Sequence, residues 1–284
     1  MKKIIKIIFP EPIKKILRKI ENIFLRLTYG FRKPLILKDM YGVYFILNPD
    51  DGTPIRWHIE RSAYTKELKV MSKLIAPESI VFDVGANVGV ISLYMAKCTG
   101  SNGNVFSFEP FPESFRRLRQ NISLNGFDFV RTYQMAISDN IEDSVFYVDP
   151  MNVHLNSLGQ VSNGENILSQ KITVHTDTID NFCKENSIQA IDFLKIDVEG
   201  FEANVLRGAH HMLSSEKIGV IQFEISKIPL ESLGRTTNEI IEIFKRYRYT
   251  VYEYIEGSDV FVKVDKIIAS YDNYYASRRK LEML

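Results

Sequence analysis

The sequence predicts an α/β fold in which a mostly parallel sheet is covered by helices on both faces. Three observations predict it. Short apolar runs at 80–84, 104–109, 130–137, 191–197 and 218–225 alternate with helical patterns at 89–98, 112–124, 178–187, 200–214 and 236–247. The runs are apolar throughout, as strands buried on both faces are, and parallel neighbours need the right-handed crossovers that intervening helices supply. The alternation then breaks: "YTVYEYIEG" and "DVFVKV", joined by Gly257–Ser258, read as an antiparallel hairpin.

Taken in order, "MKKIIKIIFPEP" begins like an export signal. Lys6 interrupts its apolar run and Pro10 and Pro12 end it, so no signal is read. Residues 12–28 carry Ile13, Ile16, Leu17, Ile20, Ile23, Phe24 and Leu27 at helical spacing, with Lys14, Lys15, Arg18, Lys19 and Arg26 mostly opposite. "KPLILKDMYGVYFILNPDDG" reads as a β-hairpin around Asp39–Gly42, closed by a turn at Pro49–Gly52. "SAYTKELKVMSKLIAPES" reads as a helix with Leu68, Met71, Leu74 and Ile75 inward and Pro77 at its end. The alternating region follows, interrupted by the polar segment 151–176, which is long enough to be a lid or binding loop. The chain divides into an extension (1–62), a main domain (63–270) and a short C-terminal tail (271–284).

Bulk properties exclude several classes. Cys98 and Cys183 are too few for a disulfide framework or a cysteine zinc site, and they fit a reducing, cytoplasmic setting. The net charge of +1 is unevenly spread: residues 1–33 carry ten basic side chains against Glu11 and Glu21, leaving −7 on the rest. A body without a general basic field is not expected to take nucleic acid as its substrate. No run of about 18 apolar residues reads as a membrane span. The basic helix 12–28 either lies on an anionic membrane surface or packs on protein, and both readings stay open.

"VFDVGANVG" ends the first strand of the alternation with an acid and two glycines. In such sheets ligands bind beyond the carboxyl ends of the strands. Gly85 and Gly89 are read as letting the backbone approach a ligand, with amides directed at it, and Asp83 as an acceptor for an ammonium group. The next strand ends in Glu109, about 20 residues on, where a ribose-binding carboxylate belongs. The dinucleotide fingerprint fails at Asn87 and Val90, and no phosphate loop occurs. A turn lacking those features suits an adenosine bearing an amino acid, which describes S-adenosylmethionine.

The order "VFDVGANVGVISL", "FSFEPFPESFRRLRQNISLNG", "MAISD" and "IDFLKIDVEGFEANVLRGA" resembles the FkbM-type methyltransferase family over residues 64–226. The resemblance implies a class I methyltransferase-like (Rossmann-like) fold with a mostly parallel seven-stranded sheet. It also implies S-adenosylmethionine as donor and a hydroxyl acceptor on a sugar, glycan or small molecule. By the same resemblance Asp83, Gly85, Asn87 and Gly89 form the donor turn and Glu109 holds the ribose. Ala136, Ile137 and Ser138, with Asp139 beside them, pass the adenine. Members often carry a Tyr-Glu pair ahead of the first strand, whereas Tyr64 here is followed by Thr65.

"FLKIDVEGFE" places Lys195 and Asp197 on one face of a strand, with Glu199 beyond its end and Glu202 in the first turn of the next helix. Asp197 is read as the group that positions or deprotonates the acceptor, worth roughly 10²–10⁴-fold, with Glu199 crowding it and Lys195 pairing with it. The same acids suit Mg2+, although the reaction as read does not require it, and with no local histidine zinc is not expected. His154, Asn156, Ser157, Glu202 and Glu224 are read as shaping the acceptor site. Alternatives are a carboxylate or amine acceptor, or a non-catalytic adenosine-binding, membrane-associated protein.

Overall fold

The computed structural model describes residues 35–39, 41–47, 66–148, 156–159, 170–268 and 271–281. The chain forms two compact units, Met1–Thr65 and Lys66–Leu284. In the first, strands β1 (Leu35–Lys38) and β2 (Tyr44–Leu47) pair antiparallel from Leu35↔Leu47 to Lys38↔Tyr44. The Asp39 carboxylate fixes their turn by accepting the amides of Tyr41 at 3.0 Å and Val43 at 2.7 Å. This is the expected hairpin; helix 12–28 and the turn at Pro49–Gly52 lie outside the described residues.

The second unit opens with helix α1 (66–74), whose Leu68, Met71 and Leu74 are buried as their spacing predicts. Then follow β3 (Ile80–Val84), α2 (Val90–Thr99), β4 (Asn104–Phe108), α3 (Pro112–Asn125), β5 (Val130–Tyr133), β6 (Ala136–Ile137), β7 (Glu142–Val148), β8 (Gln170–Asp177), α4 (Ile179–Glu185) and β9 (Ile191–Ile196). The chain continues through α5 (Glu202–Arg207), α6 (His210–Ser214), β10 (Ile218–Ser226), α7 (Lys227–Ser232), α8 (Thr237–Arg246), β11 (Thr250–Ile255), β12 (Val260–Lys263) and β13 (Tyr271–Ser277). Eight strands form the main sheet in the order β12-β11-β13-β10-β9-β3-β4-β5. The five from β5 to β10 are parallel, and β13, β11 and β12 complete the sheet antiparallel. The fold class is therefore the expected one, with one strand more.

Four expectations change. The stretch read as a C-terminal tail contains β13, which sits between β10 and β11 and pairs with both. Its Tyr274, Tyr275 and Ala276 are buried, so the strand belongs to the core. The single run expected at 130–137 breaks after Tyr133, and β6 leaves the main sheet for a second, three-stranded sheet of order β6-β8-β7. Part of the 151–176 segment belongs to that sheet as β8, paired along its length with β7. The helix expected at 200–214 is split into α5 and α6 around Gly208, where an added Cβ would lie 2.0 Å from the Ser138 carbonyl oxygen.

One face of the sheet is aromatic and aliphatic. Phe82, Phe106, Phe108 and Tyr133 pack around Phe182 of α4, with ring centroids 4.8–5.8 Å apart. The other face carries a polar row at one register. Thr132, Ser107, Asp83, Lys195, Gln222, Tyr275, Tyr252 and Lys263 stand opposite one another across all eight strands. Residues directly opposite in a sheet share a face, and from Ser107 to Tyr252 this row is buried. It leads to the carboxyl ends of the parallel strands.

Candidate active site

The site is built from the ends of β3, β4, β9 and β10. After β3 the backbone enters the left-handed region at Gly85 (φ 82°), Asn87 (φ 50°) and Gly89 (φ 88°). Glycine tolerates this freely and asparagine better than most residues. The need for glycine at 85 is internal. A Cβ there would lie 1.9 Å from the carbonyl oxygen of Asp197, and one at 89 would lie 2.5 Å from the Leu118 side chain. The turn amides also have protein acceptors: Gly85 and Ala86 donate to Phe108 at 3.1 and 2.9 Å, and Gly89 donates to Ala86 at 2.8 Å. Close packing of the β3 turn on β9, rather than approach of a ligand, is what keeps Gly85 small.

Glu109 faces this turn. Its Oε2 accepts the Asn87 amide at 2.8 Å and its Oε1 accepts the Phe111 amide at 2.9 Å. Burial pushes its carboxyl up to about 7, against the lowering effect of those two amides. Each oxygen retains a second lone pair, so the carboxylate can still accept from two hydroxyls.

Asp83 differs from its sequence reading. It is fully buried, and Oδ2 accepts the Ser92 hydroxyl at 2.6 Å while Oδ1 lies 3.7 Å from Lys195 Nζ. Ser107 donates in turn to Ser92 at 2.8 Å. Burial raises the Asp83 pKa, and Lys195 and Ser92 oppose it. Asp83 therefore belongs beneath the turn, as an anchor for Lys195, and not on a surface open to an ammonium group.

Lys195 is the hub of the polar row. Its Nζ donates to Asp197 Oδ2 at 2.9 Å, and only 3% of the residue is exposed. Burial alone would lower its pKa, but Asp197, Asp83 and Glu67 overcome this and hold it raised. Lys195 thus positions Asp197 and has no exposed surface for a substrate. Glu67, on α1, escaped the sequence reading. It is buried, accepts the Gln222 amide, and is pushed up to about 7 by burial, with Lys195 lowering and Asp197 raising it. Three carboxylates thus surround one buried ammonium, the arrangement a buried charge requires. The available signal was a glutamate on the inward side of a helix, two residues beyond the position where the related pattern places one.

Beyond β9 the backbone is left-handed at Glu199 (φ 51°) and Gly200 (φ 94°). A non-glycine residue held there is an outlier of the sort found at functional sites. Asp197, Glu199 and Glu224 bring carboxylate oxygens within 4.8 Å of one another, a spacing at which oxygen donors could also hold Mg2+. Burial raises the Glu224 pKa well above its ordinary value, and Asp197 and Glu199 add to it. Glu202 turns away from this group. It is 2% exposed, its Oε1 accepts the Gly200 amide at 3.1 Å, and burial pushes it up to about 7. Its reading as an acceptor-site residue is replaced by a structural one, pinning the loop after β9.

The remaining residues are placed as follows. Ala136, Ile137 and Ser138 are all buried, with β6 paired to β8 and the Ser138 amide donating to Asp177 at 2.8 Å. They are committed to the second sheet, and the polar group beside them is the half-buried Asp139, which accepts the Asn204 side-chain amide at 2.9 Å. Ser157 is buried and donates to its own turn, at Gly159, at 2.6 Å, so its hydroxyl is not free for an acceptor. Gly159 packs on Phe201 and Leu233, which brings the described part of the inserted segment, with Asn156, onto the loop after β9. His154 lies outside the described residues.

Comparison with known proteins places the chain in a family. Residues 83–251 match the Methyltransferase FkbM domain. The chain is 26% identical over 170 residues to the 2-O-methyltransferase NoeI of Sinorhizobium fredii, covering 54% of this chain and 68% of that protein. It is 25% identical over 221 residues to the hexuronic acid methyltransferase AglP of Haloferax volcanii, covering 76% and 85%. A solved structure of methyltransferase FkbM from Methylobacillus flagellatus is 18% identical with a TM-score of 0.42, over 70% of this chain and 43% of that one. The domain match begins at the buried acid of the glycine turn and runs past the strand-end carboxylates into β11, so the chain belongs to the FkbM family of methyltransferases.

Proposed function

We propose that the protein is an S-adenosylmethionine-dependent O-methyltransferase acting on a hydroxyl of a sugar or glycan. One observation carries the reading. The acid suited to a nucleoside diol, Glu109, and the acid suited to an acceptor, Asp197, lie on opposite sides of a single turn, one bonded to Asn87 and the other packed on Gly85. When bound, the donor supplies an electrophilic methyl group on a sulfonium. Glu109 would hold the ribose hydroxyls through the second lone pair of each carboxylate oxygen. Asp197 has Oδ2 tied to Lys195; its other oxygen would take the acceptor hydroxyl's proton as the hydroxyl oxygen bonds the methyl carbon, the carbon–sulfur bond breaks and S-adenosylhomocysteine leaves. Alignment by the rigid strand ends supplies the rest of the rate.

The name of AglP, a methyltransferase of a hexuronic acid, supports a sugar acceptor, and that of NoeI, a 2-O-methyltransferase, supports transfer to oxygen. The acid group Asp197, Glu199 and Glu224 disfavours a carboxylate acceptor by like-charge repulsion, so we read the bond formed as an ether. Titration with S-adenosylhomocysteine tests the donor site: saturable binding is expected, and none at millimolar ligand in a folded sample removes the enzyme reading. Methyl-labelled donor, incubated with cell extract, then identifies the acceptor. Label that resists mild alkali marks an ether, and alkali-labile label marks a carboxyl ester. A second reading, with the three acids as Mg2+ ligands, is favoured by their 4.8 Å spacing. Turnover abolished by EDTA and restored by Mg2+ selects it, and turnover indifferent to both selects proton transfer alone.

A further inference from the structure

We infer that Tyr271 is an acceptor-recognition residue, offering its exposed ring as a stacking face for the sugar whose hydroxyl the strand-end acids hold. The inference rests on the sugar-acceptor reading above. In register, Tyr271 opens β13 directly opposite Ser226, the last residue of β10, and Asn273 stands opposite Glu224. Tyr271 and Glu224 are therefore diagonal neighbours on one face, a separation an aromatic side chain spans. Its hydroxyl is hydrogen-bonded to the Glu224 carboxyl. That bond ties the ring to the group of three acids, at the edge of the sheet where the reaction takes place.

The ring itself is not packed away: Tyr271 is 68% exposed, whereas Tyr274 and Tyr275 of the same strand are each 1% exposed. Ile228, two residues beyond the end of β10, and Ile268, three residues before Tyr271, are also exposed, at 57% and 74%. Lys227 Nζ, at the start of α7, donates to the Ile268 carbonyl at 3.4 Å. A pyranose has a face of C–H groups and an edge of hydroxyls. The arrangement matches both, with carboxylates for the edge and a tethered aromatic plane for the face. Sites for small polar ligands join a few placed polar groups to an aromatic wall in this way. A tyrosine fixed through its hydroxyl also loses little freedom on binding, which favours affinity.

The experiment uses the full-length protein saturated with S-adenosylhomocysteine and, as probes, the methyl glycosides of glucose, fucose and glucuronic acid, with binding followed by saturation-transfer NMR. Wild type is expected to bind at least one of them. Tyr271→Ala is expected to weaken that glycoside about tenfold, with Tyr271→Trp restoring it. In labelled-methyl transfer to the same glycoside, Tyr271→Ala is expected to raise KM about tenfold and to change kcat by less than about threefold. S-adenosylhomocysteine affinity, measured in each variant, reports that the fold is intact. Equal glycoside affinity in wild type and Tyr271→Ala overturns the inference while leaving the sugar reading in place. A wild type that binds none of the probes overturns both.

Discussion

On the proposed reaction, Glu109 and Asp197 divide the chemistry at the scale of single side chains. Glu109 sits near neutrality because burial holds it at about 7, so its charge changes across the range in which cells operate. A carboxylate accepts from two ribose hydroxyls only when ionised. Affinity for S-adenosylhomocysteine is therefore expected to rise about three- to tenfold between pH 6 and pH 8 by calorimetry, and to be weak and flat with pH in Glu109→Gln. Asp197→Asn keeps the shape and a contact for Lys195 but removes the proton acceptor. Turnover is expected to fall at least about tenfold with donor affinity unchanged, and a variant at wild-type turnover would move the base to Glu199 or Glu224. Asp197, Glu199, Glu224 and Glu109 were legible as strand-end acids, since alternation and strand length locate them. Glu67 was not, because its importance comes from facing Lys195 across the interior, and a helix heptad shows which side is inward without showing what it meets.

Among the elements, β13 shows why part of the architecture escaped the sequence. "YDNYYAS" is tyrosine-rich with polar neighbours at the end of a chain, and nothing local distinguishes a tail from a strand. What makes it a strand is the pair of unpaired edges presented by β10 and β11, which are distant in sequence and take up seven and four of its residues. The β6-β8-β7 sheet escaped for a related reason, since its partners are separated by the inserted segment. By contrast the βα units were legible, because each buries a continuous apolar run against its own helix. Ending the chain at residue 270 is expected to remove the link between β10 and β11 and expose both edges. Such a truncation should be insoluble or lose its cooperative melt by differential scanning calorimetry, whereas a true tail would be dispensable.

At the scale of the whole molecule, Glu67, Glu109 and Glu202 are each moved from 4.5 to about 7 by burial. Between those two values the folded chain keeps protons that the unfolded chain has released. The stability these acids contribute is complete below about pH 4.5 and is lost as pH rises through about 7. The ligand-free protein is expected to melt at a lower temperature at pH 8 than at pH 5.5, and Glu67→Gln should flatten that slope. Of the described residues no helix is long and apolar enough to cross a membrane, so the described core carries no span of its own. The contact between Gly85 and the Asp197 carbonyl contains no side chain at one end and only main chain at the other. Any side chain at position 85 would force that contact apart, so on the proposed reaction the spacing between the donor turn and Asp197 works as a ruler set by main chain alone. On that reading, a change of acceptor is expected to be made at the periphery, as at Tyr271 at the start of β13, with the gauge of the reaction untouched.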